Sequence, residues 1–214
     1  MKTSHLPTPA VRRLSLYLRE LEAFLGRGRR TVSSRQLGQA LGLTAAQVRK
    51  DLTYFGQFGR PGVGYRVEEL IAKVRQILGT DRTSNVLLVG VGNLGRALLA
   101  YRNFPKKGFQ IVAAFDTDPD KIGQELTPLD DVRVQPLSEI QSTVRERSIR
   151  LGVICVPATE AQGVADRLVD AGIRGLLNFA PVSLNLPASV RVVGADLAIH
   201  LEQLSFQIGG GNVE

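Results

Sequence analysis

The sequence predicts two domains of different class. A small, mainly helical domain spans residues 1–80, and an α/β domain with a parallel sheet spans 84–194, followed by a helix and tail over 195–214. Three observations predict this. Before residue 80 apolar residues recur at helical spacing in short segments, whereas after residue 85 strand-like apolar runs alternate with helical ones. Charge is split: residues 1–80 hold 14 Lys/Arg against 5 Asp/Glu, and residues 81–214 hold 13 against 15. Finally, Gly90-Val91-Gly92-Asn93-Leu94-Gly95 joins an apolar run to a helical one.

In the first domain Pro7-Thr8-Pro9 marks a loop. Val11, Leu14, Leu16, Leu18, Leu21 and Phe24 then predict a helix from Val11 to Phe24, ended by the basic run Gly26–Arg30. Ser33-Ser34 caps a second helix, Arg35 to Leu41. Gly42-Leu43-Thr44 is a tight turn, and a third helix runs from Ala45 to Phe55. Two short helices joined this way form a helix-turn-helix. Residues 56–65 hold four glycines and a proline, which a helix does not tolerate, so a short hairpin or wing is expected. Glu68 to Leu78 is a closing helix, and residues 79–84 are a polar linker.

The third helix turns Val48, Leu52 and Phe55 inward and leaves Gln47, Arg49, Lys50, Thr53 and Tyr54 outside. Arg and Gln suit base edges; Lys and Tyr suit phosphates. Ser34, at the start of the second helix, and Arg60, at the hairpin tip, complete the candidate DNA contacts. A charged helix face is often only solvated. Here the turn spacing, the basic hairpin and the +9 balance together favour DNA.

In the second domain Val86–Val89, Ile111–Phe115, Leu151–Val156, Leu176–Phe179 and Val190–Val193 are strand candidates, with helices at Leu94–Tyr101 and Ala161–Ala171. The glycine run follows the first strand and opens a helix. Gly90 permits the turn, Gly92 lets backbone approach a phosphate, and Gly95 lets helix pack on strand. The second strand ends at Asp116, 21 residues past Gly95, where a ribose-binding carboxylate belongs. A carboxylate accepts from a ribose 2′-OH and repels a 2′-phosphate, so NAD(H) is favoured over NADP(H). Lys121 lies nearby. Pro157, Ala158, Asn178, Phe179, Ala180 and Pro181, around the ends of later strands, are candidates for the nicotinamide side.

Other classes fit poorly. No apolar run approaches the ~20 residues that span a membrane, and Met1–His5 has no apolar signal region. Cys155 is the single cysteine, so no disulfide framework or Cys-rich metal site is expected; a reducing cytoplasm is the simplest compartment. Within its apolar run Cys155 reads as a buried small hydrophobe. With only His5 and His200, no catalytic constellation is visible, and the nucleotide is expected to be read rather than consumed.

This order of domains resembles the Rex family of redox-sensing transcriptional repressors. The resemblance rests on RRLSLYLREL (Arg12–Leu21), VRKDLTYFGQFGRPGVGY (Val48–Tyr65), GVGNLGRALLAY (Gly90–Tyr101), FDTDPDKIG (Phe115–Gly123), VPA (Val156–Ala158), LLNFAP (Leu176–Pro181) and DLAIHLEQL (Asp196–Leu204). It implies a winged helix, a Rossmann domain and a last helix exchanged between two subunits. It also implies a homodimer that represses palindromic operators when NADH is scarce and leaves them on binding NADH, with NAD+ competing without release. Polar contacts among the first helix, the Rossmann domain and the last helix are implied too; the matching positions are Arg13, Tyr101 and Asp196. Ser15 stands where relatives commonly carry proline. A regulator responding to a CoA derivative is the alternative, and an oxidoreductase a distant third.

The last helix has its own signal. Leu197, Leu201, Leu204 and Ile208 form one apolar face, with Ala198 and Phe206 adding apolar surface elsewhere. A terminal helix this apolar needs a partner surface, and a dimer lets a helix-turn-helix bind two half-sites.

Overall fold

The computed structural model describes residues 8–59, 62–126 and 132–209. The chain divides into two compact units, residues 1–82 and 83–214.

The first unit opens with α1 (Thr8–Gly26). The helix starts earlier than Val11, because Pro9 falls in the first turn, where its missing N–H costs no helical bond. Its buried stripe is Leu14, Tyr17, Leu18, Leu21 and Phe24; Tyr17 takes the place expected of Val11 and Leu16. β1 (Thr31–Val32) leads into α2 (Ser34–Leu41), whose N-cap Ser33 forms a capping box with Gln36. Gly42 closes α2 at φ 67°, a left-handed conformation that glycine adopts without strain. Thr44 then caps α3 (Ala45–Thr53) by accepting the Gln47 N–H. Such caps are each worth about 1 kcal/mol.

α3 ends two residues before Phe55, which is buried nonetheless. Among the described residues of the expected wing the strand pairing is not local. β2 (Tyr65–Arg66) pairs antiparallel with β1, Thr31 opposite Arg66 and Val32 opposite Tyr65. Strands of two residues show no alternation, so this pairing leaves no trace in the hydrophobic pattern. α4 (Val67–Leu78) sets Val67, Leu70, Ile71 and Val74 into the core shared with α1 and α3.

The second unit runs β3 (Ser84–Val89), α5 (Asn93–Leu99), α6 (Asn103–Lys106), β4 (Phe109–Asp116), β5 (Val134–Pro136), a 3-10 turn, and α7 (Ile140–Glu146). It continues β6 (Leu151–Ile154), α8 (Ala158–Asp170), β7 (Gly175–Asn178), β8 (Arg191–Gly194) and α9 (Leu197–Ile208). The strand order is β5-β4-β3-β6-β7-β8, and each described neighbour pair is parallel. That is the doubly wound dinucleotide order, with its switch point between β3 and β6. β5, α6 and α7 are additions to the sequence reading. β5 is three residues long and ends on Pro136, which an edge strand tolerates.

The two sheet faces are covered unequally. α7 and α8 bury Leu87, Val89, Phe115 and Ile154 on one face. On the other, Leu99 of α5 joins Leu88 and Ala114. Residues 179–190, between β7 and β8, contain no helix. The second face therefore stays open beyond α5, as an apolar groove of about 410 Å³ lined by Val86, Phe109, Ile111, Leu151, Val153, Leu177 and Val193 among others. In α9, Leu197, Leu201, Leu204, Phe206 and Ile208 are each more than half exposed.

Candidate functional site

At the switch point the carboxyl ends of β3, β4 and β6 open onto a cleft of about 800 Å³. Ligands of open α/β sheets bind on this side. Gly90 and Gly92 line it after β3, and Asp116, Thr117, Asp118 and Lys121 at the end of β4. Leu137 follows β5, and Cys155, Val156 and Pro157 follow β6. Glu160, Gly163, Val164 and Arg167 contribute one face of α8.

The three glycines have separate physical roles. Gly90 has φ 98°, and a Cβ there would lie 2.5 Å from the Cys155 carbonyl oxygen, just past the neighbouring strand β6. At Gly95 a Cβ would meet the Gly90 carbonyl oxygen at 2.0 Å, so helix and turn pack without a side chain between them. A Cβ at Gly92 would touch nothing within 4 Å. Gly92 is the exposed N-cap of α5 and has the room an approaching anion needs.

Asp116 is buried and wired into this turn. Its Oδ2 accepts the Val91 N–H at 2.7 Å and its Oδ1 the Asp118 N–H at 3.0 Å. Lys121 Nζ lies 3.3 Å from Asp116 and 3.3 Å from Asp118. Burial pushes the Asp116 carboxyl upward, but the backbone N–H groups of Asp118 and Val91, with Lys121, hold it below the usual carboxylate range. Burial opposes the Lys121 charge, and the two carboxylates outweigh it, keeping that ammonium above its ordinary value. The arrangement suits the hydroxyl donors of a vicinal ribose diol: an ionised, oriented carboxylate acceptor beside an open glycine turn.

Other expected residues are placed differently. Val91 is fully buried, with its N–H given to Asp116. Asn93 and Leu94 are exposed in the first turn of α5, and Ala158 begins α8. Asn178 is buried and clamps the loop after β7: its Oδ1 accepts the Ala180 N–H, and its Nδ2 donates to the carbonyls of Ala180 and Val182. Phe179 packs with the core on the α5 side, Ala180 is buried on the α8 side, and Pro181 is exposed. Of the expected apolar wall only Pro157 lines the cleft.

Cys155 needs a correction. It lies one residue past β6, only half-buried: it packs against the α5-side core and also lines the cleft, and burial pushes its thiol up to about 12, so it is a neutral part of the wall and, as expected, no nucleophile. The α8 contribution was missed, although Glu160, Gly163, Val164 and Arg167 are spaced i, i+3, i+4, i+7, the signature of one helix face.

In the first unit α3 exposes Arg49, Lys50 and Thr53, and Tyr54, the residue after it, is also exposed. Arg49 Nη1 donates to Ser34 Oγ at 3.0 Å, which joins the starts of two candidate contacts across α2 and α3. Gln47 is half-buried and gives its side-chain amide to Asp51 at 2.7 Å. Arg60 lies outside the described residues. Asp51, absent from the sequence reading, is fully buried. The signal was an acid at i+3 from Val48 within an apolar stripe.

Arg13 binds that same Asp51, through Nε at 2.5 Å and Nη2 at 2.8 Å. Tyr101 is half exposed, sits edge-on to Phe104 at 5.0 Å, and accepts a hydrogen bond from Asn103 at 3.2 Å. Asp196 caps α9 by accepting the Ala198 N–H at 2.9 Å. Among the described residues no group of His, Cys, Asp and Glu could hold a metal, and no helix is long and apolar enough to cross a membrane.

A helix-turn-helix unit joined to a doubly wound dinucleotide-type unit defines a class, the DNA-binding regulators that carry a nucleotide domain. Known proteins narrow it. A family model described as "CoA binding domain" matches residues 81–182, and one described as "Putative DNA-binding protein N-terminus" matches residues 5–53. The redox-sensing transcriptional repressor Rex of Carboxydothermus hydrogenoformans is 49% identical over 208 residues, covering 97% of this chain and 99% of that protein. Its counterpart in Desulforamulus reducens is 47% identical over 208 residues, covering 97% and 98%. Among solved structures is RSP, a Rex-family repressor. Its complex with beta-NAD+ and operator DNA matches at TM-score 0.90 and 37% identity, over 97% of this chain and 94% of that one. Its complex with beta-NADH matches at 0.86 and 36%, over 97% and 96%. The chain belongs to the Rex family of redox-sensing transcriptional repressors.

Proposed function

We propose that the protein is a cytoplasmic, homodimeric repressor that reads the NADH/NAD+ ratio, holding a palindromic operator when NADH is scarce and leaving it on binding NADH. The observation that supports this most directly is Asp116, an ionised carboxylate tied to the glycine turn at the switch point, in a chain that begins with a helix-turn-helix. Bound nucleotide supplies a redox-dependent charge on the nicotinamide ring and no chemistry by the protein. Asp116 accepts from the adenosine ribose, and Gly92 and the start of α5 face the pyrophosphate. The uncharged stretch of wall at Cys155, Val156 and Pro157 disfavours the cationic ring, whose desolvation is not offset there.

The CoA alternative is disfavoured by charge. CoA carries a phosphate on its adenosine ribose, and Asp116 and Asp118 flank that position with a single lysine between them.

Ser34, Arg49, Lys50, Thr53, Tyr54 and the wing residue Arg60 form the DNA-facing set. The open apolar groove beside β6–β8 and the exposed α9 are complementary in character. α9 is assigned to the partner subunit, exchanged across the dimer. Asp196 and Tyr101 act as the allosteric pair. Arg13 contributes from the DNA-binding side, through Asp51.

The test is a titration of the operator complex with NADH and with NAD+. NADH is expected to lower operator affinity at least tenfold, about 1.4 kcal/mol of differential binding. Equal effects of the two redox forms would remove the sensing role.

A further inference from the structure

We propose that Asp51 is a positioning residue for DNA recognition, a buried anchor that fixes the rotation of α3 about its own axis through Arg13 and Tyr17 of α1. The proposal rests on the reading of α3 as the helix that meets DNA.

Four donors converge on this carboxylate. Oδ2 accepts from Arg13 Nε at 2.5 Å and from the Tyr17 hydroxyl at 2.6 Å. Oδ1 accepts from Arg13 Nη2 at 2.8 Å and from Gln47 Nε2 at 2.7 Å. Asp51 and Tyr17 are fully buried, and the Arg13 side chain is 26% exposed. Burial works against the charge on Asp51, yet Arg13, Tyr17 and Gln47 hold its carboxyl below the usual range. Packing does not require a charge here: an apolar residue in place of a buried ion pair is often neutral or stabilising. What the ion pair adds is direction. Apolar contacts between helices tolerate sliding, whereas an Arg–carboxylate fork admits one geometry.

The helix converts that geometry into aim. At 3.6 residues per turn, Arg49 and Thr53, two residues either side of Asp51, point about 160° away from it. Drawing Asp51 inward therefore drives Arg49 and Thr53 outward. With side chains the helix has a radius of about 6 Å, so a slip of roughly 20° moves their ends by about 2 Å. That exceeds the tolerance of a hydrogen bond to a base edge. The anchor also occupies Gln47, which leaves Arg49, Lys50, Thr53 and Tyr54 as the side chains presented.

The experiment compares full-length Asp51→Asn, Arg13→Lys and Tyr17→Phe, with Arg49→Ala as the control for the DNA reading. Affinities are measured for a duplex selected from a randomised pool by the wild type and for a scrambled duplex of equal length, at one salt concentration. Circular dichroism melts report folding. Asp51→Asn and Arg13→Lys are expected to lower affinity for the selected duplex at least tenfold and for the scrambled duplex less than twofold. Tyr17→Phe, the mildest change and the one most certain to fold, is expected to lower the ratio about threefold. A merely structural role predicts instead that both affinities fall together, in step with lost helical signal; that result, or wild-type ratios in folded variants, overturns the proposal. Wild-type affinity in Arg49→Ala removes the reading of α3 and the proposal with it. An Arg49→Ala defect beside unaffected anchor variants overturns the anchor alone.

Discussion

The Asp116 carboxylate accepts the Val91 N–H at 2.7 Å across 25 residues of sequence, so the group proposed for the ribose also holds the turn proposed for the phosphates. On that proposal nucleotide selection and local stability are coupled at this residue. Asp116→Ala is expected to weaken NADH binding about tenfold or more and to narrow the preference over NADPH. Calorimetry with both nucleotides decides it; a wild type that binds NADPH as tightly as NADH would end the assignment.

The same residue gives a pH signature. Its folded pKa lies below the ordinary carboxylate value, so its contribution to stability is present above about pH 4 and is lost as pH falls through the folded value. The wild type should melt above Asp116→Asn at neutral pH, and the gap should hold down to about pH 5 and narrow only as the pH falls below about 4. A gap that is constant with pH would show that the carboxylate charge contributes nothing.

Gly92 and Gly95 separate binding from folding. Gly95→Ala places a methyl 2.0 Å from a backbone oxygen that cannot yield without opening the turn, and is expected to cost about 2–3 kcal/mol. Gly92→Ala meets open space at φ −84°, which alanine adopts freely, so stability should stay within about 1 kcal/mol. NADH affinity should nonetheless fall, because the methyl occupies the approach to α5. Thermal melts with fluorescence titration test the pair; unchanged NADH affinity in Gly92→Ala refutes the phosphate role.

What was legible in the sequence follows from these physical causes. Strands β3, β4, β6, β7 and β8 lie within two residues of their expected ends because each is a short apolar run bounded by polar or glycine residues. Asp116 and the glycines were legible because their spacing is set by a turn and one crossover. β5 was not, being a three-residue edge strand, nor was the β1–β2 pairing, which joins Thr31 to Arg66 and Val32 to Tyr65 through no local pattern. The Asn178 clamp and the Asp51 anchor depend on which backbone or helix lies opposite, which periodicity does not encode. The inner wall of the cleft on α8 carried the right spacing but read as an ordinary amphipathic helix.

Arg49 and Lys50 should differ in kind. Arg49, held beside Ser34, is expected to lose 1–3 kcal/mol and sequence preference on substitution by alanine if it reads a base. Lys50→Ala should weaken binding uniformly across sequences and flatten its salt dependence by about one unit. Gel shifts at two salt concentrations separate them; unchanged operator binding in both would reassign the DNA face.

The exchange of α9 is tested by Leu201→Glu combined with Leu204→Glu. Both leucines are more than half exposed in this chain, so neither substitution disturbs its own core. If α9 seats on a partner subunit, two carboxylates in an apolar interface cost several kcal/mol and the dimer dissociates. Sedimentation should then show a monomer with weakened operator binding. A dimer of wild-type strength would place the subunit interface elsewhere.

Asp196 and Tyr101 carry the last prediction. Arg13 already serves Asp51 through Nε and Nη2, so moving it to Asp196 would give up two charged hydrogen bonds to a buried carboxylate. A tenfold release of DNA needs only about 1.4 kcal/mol, a scale that one charged hydrogen bond satisfies. Tyr101 suits it: its oxygen accepts from Asn103, which leaves its hydrogen for a carboxylate. Alanine at 196 would confound the test, since Asp196 also caps α9. Asparagine is an equally good cap and removes the charge. Asp196→Asn and Tyr101→Phe should therefore keep dimerisation and NADH affinity while blunting the NADH-driven loss of operator affinity. The double variant should be no worse than either single one, as expected for two partners in one bond. NADH titrations with and without operator measure both quantities, and release by the wild-type factor in both single variants would exclude the pair from the switch.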